Sequence, residues 1–396
     1  MTLDLYMTAG VGVTALLLGY LFTRKIPLLK RFCIPAPVSG GLLVSFLFLL
    51  LHEVSSMDIS FDGTIKDITM MIFFTSVGFQ CDLRVLKQGG KPLLVMIGLV
   101  ALLITLQNLL STGIARAMDL SPLVGMATGS IPMAGGHGTA GGFSPVLASM
   151  GLDGADSITL AAATFGLVAG SLVGGPLGEF LIRKRNLSAE SVEQDKEEIL
   201  GSTSLQEKTS LMGYSLASCQ ILLAMAIGMG LSKLLALTSI TFPTYFGALL
   251  TASAIRNIWP PKPKKQDVIY QKEIVGIGEV CLSLFLGIAM STLKLWELAG
   301  LMLPLVVILL SQTVLVALFA AFAAFPALGK DYDAAVLVSG LCGFGLGATP
   351  NAMANMSAVC YKYHNTVKPF IIVPIIGAMF VDLINTGVIT LFLNLI

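Results

Sequence analysis

Apolar runs of about 20 residues, divided by short polar stretches, recur from one end of this chain to the other, and each is long enough to cross a roughly 30 Å hydrocarbon layer as a helix. The pattern predicts spans near 5–23, 34–52, 67–81, 92–115, 157–182, 211–235, 240–257, 274–292, 301–324 and 369–394. Two further apolar stretches, 121–150 and 334–360, are broken by glycine in the middle. The first carries Gly135-Gly136-His137-Gly138-Thr139 and the second Gly343-Phe344-Gly345-Leu346-Gly347-Ala348-Thr349. Glycine costs a helix about 1 kcal/mol per position relative to alanine. Lipid tolerates broken backbone only where it is buried in protein or lines a cavity. Each stretch therefore reads as a re-entrant helix-loop-helix that leaves by the side it entered.

Composition agrees with a membrane protein: of 396 residues, 55% are hydrophobic and only 12% charged, about half the charge of a soluble domain. The first run, Leu5 to Phe22, follows Asp4 and no basic residue, so it is expected to be a retained span and not a signal peptide. Cysteines 33, 81, 219, 281, 342 and 360 stand singly, as packing residues do. Basic residues collect on cytoplasmic loops. With the N-terminus outside, 20 of the 24 Lys and Arg fall inside, leaving only Lys66, Arg116, Lys233 and Lys294 outside. Reading either broken stretch as a full crossing would invert every later loop. The chain is therefore expected to have both termini outside.

The two halves repeat each other in order at an offset near 210 residues. Pro37-x-x-x-Gly41-Leu42-Leu43 returns as Pro243-x-x-x-Gly247-Ala248-Leu249, Gln107 as Gln312, and Gly166 to Gly175 as Gly377 to Gly387. Five spans per half give the halves opposite orientations, which is the plan of a duplicated transporter. The expected fold is an all-α polytopic membrane protein of ten transmembrane helices, built as two five-helix inverted repeats, each with a re-entrant helical hairpin. Residues 1–185 form the first repeat and 211–396 the second, joined by a polar cytoplasmic linker at 186–210.

The candidate chemistry lies at the two glycine tips, which enter from opposite sides and are expected to meet near mid-membrane. Each is followed by a helix start, near Ala140 and near Pro350, whose free N–H groups and dipole suit an anion. No Arg or Lys lies deep in a span, so backbone dipoles, hydroxyls, amides and a co-bound cation must balance a substrate anion. The candidate substrate-binding residues are Ser130, Gly135, Gly136, His137, Gly138, Thr139, Gly345, Gly347, Thr349 and Asn351, with Gln107 and Gln312 at matching places of two spans. Asp382 lies mid-way along the last span, where a carboxylate without a partner costs several kcal/mol. With Asn385, Asn355 and Ser339 it offers hard oxygen ligands for Na⁺. His137 with Ser130 or Ser144 lacks the acidic orienter and nucleophile elbow of a hydrolase, so no enzyme is expected. The scattered charge offers no acidic or basic pore-lining series, against a channel. No organic cofactor and no nucleic-acid partner are expected.

Six ordered motifs resemble the bacterial glutamate:Na⁺ symporters: Ile34-Pro35-x-Pro37-Val38-x-Gly40-Gly41, Gly129-Ser130 with Gly135 to Thr139, Ala163-Thr164-Phe165-Gly166, Tyr332-Asp333-Ala334-Ala335, Cys342 to Pro350, and Val373-Pro374 through Asp382. The resemblance implies an inner-membrane homodimer in contact with lipid, with a scaffold and a mobile core, moving L-glutamate inward with Na⁺ by an elevator-like motion. The chain departs from the family pattern at Glu279 and Leu341, positions that bear on coupling and substrate preference. The competing reading is a sodium-coupled carrier of another di- or tricarboxylate such as citrate, which needs no recognition of an amine.

Overall fold

The structure is a computed structural model that describes residues 2–55, 59–84, 90–187, 211–237, 242–259 and 268–396. Apart from a two-residue parallel pairing of Thr2–Leu3 with Ser60–Phe61, the regular elements described are helical. Seven helices among the described residues are long and apolar enough to cross a membrane. They include α1 (Leu5–Lys25), α2 (Ala36–Ser55), α4 (Gly90–Ala117) and α8 (Ala155–Arg185). The seven are completed by α9 (Leu211–Ala236), α11 (Gln271–Ser291) and α12 (Met302–Phe319, continuing to Ala327). Large apolar side chains such as Leu17, Phe46, Leu102, Leu222, Leu310 and Phe322 stay exposed, as expected of surfaces solvated by lipid tails and not by water.

The other three expected spans are shorter or interrupted. Helix α3 runs Thr64–Gln80, α10 runs Phe246–Ile258, and the last span is divided into α15 (Lys368–Ile375), a π-helical turn Ile376–Phe380, and α16 (Val381–Leu393). The stretch expected at 240–257 thus begins its helix only at Phe246, after Pro243, which lacks an N–H to continue one. The π turn follows closely after Pro374 of α15. It falls directly ahead of Asp382. The linker expected at 186–210 lies, after Leu187, outside the described residues.

Packing sorts the helices into two bundles. In the first, α1 contacts α2, α3 and α11, α11 also contacts α2 and α3, α9 closes against α3, α10 and α11, and α10 closes against α3. The second gathers α4, α8 and α12 around both broken stretches and α16. The first broken stretch comprises α5 (Pro122–Thr128), α6 (Ser130–Met133) and α7 (Gly136–Ser149). The second comprises α13 (Tyr332–Gly345) and α14 (Thr349–Lys362). One stripe of α8 explains how closely the second stretch docks: Gly166, Gly170, Gly174 and Gly178, four residues apart, face Leu346 O, Gly343 O, Asn355 and Ser339 respectively. A Cβ at Gly174 would occupy the place of the Asn355 amide.

An aromatic seam joins the bundles. Tyr245 stacks on Phe74 with ring centroids 3.6 Å apart, and Phe143 of α7 meets the Tyr245 ring edge-on at 6.1 Å. Nearby, Lys66 of α3 pairs with Asp156 of α8 at 3.4 Å, and Asp156 also accepts from Ser144.

The first bundle is tied at the loop after α3. Asp82 accepts from Arg84 Nε at 2.7 Å and Nη2 at 2.6 Å, and lies 3.4 Å from Arg256 of α10. Asn257 locks the same corner, donating to Cys81 O at 2.8 Å and accepting from Leu83 N at 2.9 Å. Burial alone would raise the Asp82 carboxyl, but the Arg84 hydrogen bonds and both guanidinium charges hold it below its ordinary value. A lowered carboxylate stabilises the fold above its unfolded pKa, and the contribution disappears as pH falls through the folded value. Asp82→Asn is expected to destabilise the detergent-solubilised protein by about 2 kcal/mol at neutral pH. In melting curves taken against pH, its deficit should shrink below about pH 4. A deficit independent of pH would contradict the ionic account.

Candidate functional site

The two glycine tips meet. Gly136, the first residue of α7, has φ +59°, and a Cβ built on it would lie 2.8 Å from Gly347 O. A left-handed backbone and a carbonyl in van der Waals contact both require glycine there. The first stretch is broken at two places, one more than the sequence suggested. Besides Ala134-Gly135 there is a break at Gly129, whose backbone (φ −86°, ψ −139°) separates α5 from α6. Helix α7 accordingly starts at Gly136 and not near Ala140, while α14 starts at Thr349, beside the expected Pro350. Neither start carries a side-chain cap; at α14 Pro350 has no N–H and Asn351 N donates to Ala348 O at 3.0 Å, so the uncapped first-turn donors lie mainly at the start of α7, with the positive dipole end of α14 facing them.

Amides from remote helices take up the backbone groups that the breaks release. Gln107 of α4 donates to Gly345 O at 2.7 Å, and Gln312 of α12 donates to Gln107 O at 2.7 Å. Asn351 donates to Leu167 O at 2.7 Å and Asn355 to Gly170 O at 2.9 Å, pinning α14 on α8. Ser130 N donates to Asn108 Oδ1 at 2.8 Å, and Asn385 donates to Ser130 O at 3.0 Å. Asn108 was not among the residues the sequence singled out, although an amide directly following Gln107 in lipid-depth sequence was a usable sign. His137 bonds the Thr164 hydroxyl at 3.0 Å, so the imidazole has a partner on α8, and that partner too was missed.

Once those bonds are made, a set of oxygens is left over. Gln107 Oε1, Gln312 Oε1, Asn351 Oδ1, Asn385 Oδ1, Ser130 Oγ and Ser339 Oγ are all buried with no hydrogen-bond partner. Buried acceptors without donors are costly. An ammonium group or an alkali cation would answer them. No Lys or Arg appears among the buried polar side chains of the described residues.

The four candidate cation ligands fall in two places. Asp382 and Asn385 lie one turn apart on α16 against the first stretch, where Thr139 donates to Asp382 Oδ1 at 3.3 Å. Ser339 and Asn355 lie on the second stretch beside Gly174, with Asn355 Nδ2 3.5 Å from Ser339 O. No hydrogen bond joins the two pairs among the described residues. Gly135 is packed against Thr139, Gly138 against Phe73 of the first bundle, Gly345 against Leu103, and Thr349 against Gly377 of the π turn. Of the departures, Leu341 is fully buried and Glu279 exposed.

Contact at the tips has a direct test. Gly136→Ala is expected to lower stability by about 1–2 kcal/mol, because it forces a Cβ into the left-handed region and against Gly347 O. Gly113→Ala, in a helix with nothing within 4 Å of the added carbon, should be neutral or mildly stabilising. Comparison of their melting temperatures checks the contact, and equal values would refute it.

The sequence profile of the family described as "Sodium/glutamate symporter" matches residues 1–365. The chain is 38% identical over 391 residues to a sodium/glutamate symporter of Haemophilus influenzae, covering 98% of this chain and 96% of the relative. It is 36% identical over 396 residues to the sodium/glutamate symporter of Escherichia coli, covering 99% and 98%. Matched over nearly its whole length, with the tips of its broken helices in contact, this chain is an integral membrane protein that belongs to the sodium/glutamate symporter family, a family of transporters and not of enzymes.

Proposed function

We propose that the protein moves L-glutamate into the cell together with Na⁺, binding both where the two broken stretches meet. The observation that carries this reading is the pair of uncapped helix starts, at Gly136 and Thr349, brought together by the contact of Gly136 with Gly347. Two positive helix ends suit the two carboxylates of glutamate without a buried Lys or Arg. The unbonded amide oxygens of Gln107, Gln312 and Asn351 suit its ammonium group. That acceptor set, together with the names of the relatives, favours an amino acid over citrate. Na⁺ fits the oxygens that remain: the Asp382 carboxylate with Asn385 and Ser130 at one place, Ser339 with Asn355 at the other. Binding of Na⁺ at Asp382 offsets a carboxylate held at membrane depth. It also firms the first tip through Thr139, after which glutamate binds between the helix starts.

The two-bundle packing supports an elevator-like motion in which the second bundle, carrying both broken stretches, moves against the first. Residues 1–185 and 211–396 act as inverted repeats of five spans, with re-entrant hairpins at 121–150 and 334–360. The protein acts in the bacterial inner membrane, both termini periplasmic, as a lipid-embedded homodimer.

Uptake of labelled L-glutamate into proteoliposomes tests the reading. An inward Na⁺ gradient is expected to drive accumulation, its collapse to stop it, and unlabelled L-glutamate to compete far better than citrate. Asp382→Asn should abolish Na⁺-dependent uptake without loss of folded protein, whereas full uptake by that variant would remove Asp382 from the cation site.

A further inference from the structure

Threonines inside helices ordinarily turn their hydroxyls back to the carbonyl four residues earlier, as Thr69, Thr75, Thr128 and Thr159 do here. Thr386 and Thr390 do not. Both are buried, and neither hydroxyl makes that return bond. They stand four and eight residues after Asp382, on the same face of α16. A third buried hydroxyl, that of Tyr245, comes within side-chain hydrogen-bonding reach of Thr386 and electrostatic reach of Asp382 without closing a well-aligned bond.

Tyr245 reaches this face from the first bundle. Its ring is fixed by the stack on Phe74 and the edge of Phe143, and Gly142 leaves the space it needs, since a Cβ there would lie 2.6 Å from the ring. Ring packing therefore accounts for everything about Tyr245 except its hydroxyl. Phenylalanine would fill the same place and leave no polar atom to satisfy. A group of buried hydroxyl oxygens beside a carboxylate is a set of hard ligands, the kind an alkali cation accepts in exchange for water.

We propose that the hydroxyls of Tyr245 and Thr386 hold the sodium ion as it comes to Asp382, making Tyr245 a residue of the first bundle that selects for the ion. The inference rests on the assignment of Asp382 as a cation ligand. Because Tyr245 and Asp382 belong to different bundles, this oxygen set is complete only in the relative position seen here. Movement of the second bundle takes Asp382 and Thr386 away from Tyr245, and the ion then keeps only the ligands that travel with it. Thr390, one turn further along the same face, extends the hydroxyl row toward the end of the helix.

Tyr245→Phe and Thr386→Val keep shape and remove only the oxygens. In proteoliposomes each is expected to raise the Na⁺ concentration for half-maximal glutamate uptake about tenfold, the effect of losing one contact to a charged group. Half-saturating glutamate at saturating Na⁺ should stay unchanged. In detergent without glutamate, the rise in melting temperature produced by Na⁺ should be smaller at a given concentration in both variants, while the melting temperature without Na⁺ is kept. The double variant should be little worse than either single one, since both oxygens serve one ion. Unaltered Na⁺ activation and unaltered Na⁺ stabilisation in both variants would overturn the inference and leave the transport reading intact. A shift in glutamate affinity at saturating Na⁺ would also overturn it, by assigning the hydroxyls to substrate. Absence of Na⁺-driven uptake and of Na⁺ stabilisation in the unaltered protein would remove the transport reading and this inference together.

Discussion

A backbone N–H or C=O set loose inside a membrane has no water to turn to, so every break in a helix at that depth must be answered by another part of the protein. This chain breaks its helices at Gly129, at Ala134-Gly135 and between Gly345 and Thr349, and amides answer the breaks: Gln107 at Gly345, Asn108 and Asn385 at Ser130. Those amides come from α4 and α16, at separations of 22 residues for Asn108, 238 for Gln107 and 255 for Asn385. Around those bonds the second bundle packs a large apolar core, and several of its buried amide oxygens are left without donors.

The first bundle meets different demands. It packs by close apolar contact and is tied at one corner by Asp82, Arg84, Arg256 and Asn257. Where it touches the second bundle, Tyr245 sits between Phe74 and Phe143 within a broad apolar core that both bundles share, and Lys66 pairs with Asp156 across the seam.

Much of this was legible in the sequence because membranes simplify the code. Apolar runs gave seven long helices within a few residues of their ends, and glycine density marked both broken stretches. The paired positions of Gln107 and Gln312 pointed to amides that need partners across helices, and each has one. Harder to foresee was the second break at Gly129, where a single glycine precedes Ser130 in an otherwise apolar segment and depends on Asn108 and Asn385 from elsewhere. The division of Asp382 with Asn385 from Ser339 with Asn355 was likewise invisible, because sequence gives order along a helix and not which neighbour it faces. Tyr245 stood outside the residues the sequence singled out. Only packing reveals that its ring is fully accounted for and its hydroxyl is not.

The central claim is that the contact between Gly136 and Gly347 marks the place where substrate binds. An experimental structure of the protein with L-glutamate and Na⁺ tests it most directly. Glutamate is expected between the starts of α7 and α14, its carboxylates at these two positive helix ends, with no Lys or Arg side chain in contact. Glutamate held instead on the pocket lined by Lys66, Lys294 and Trp296 at the seam of the bundles, with the tips in contact only with each other, would contradict the account.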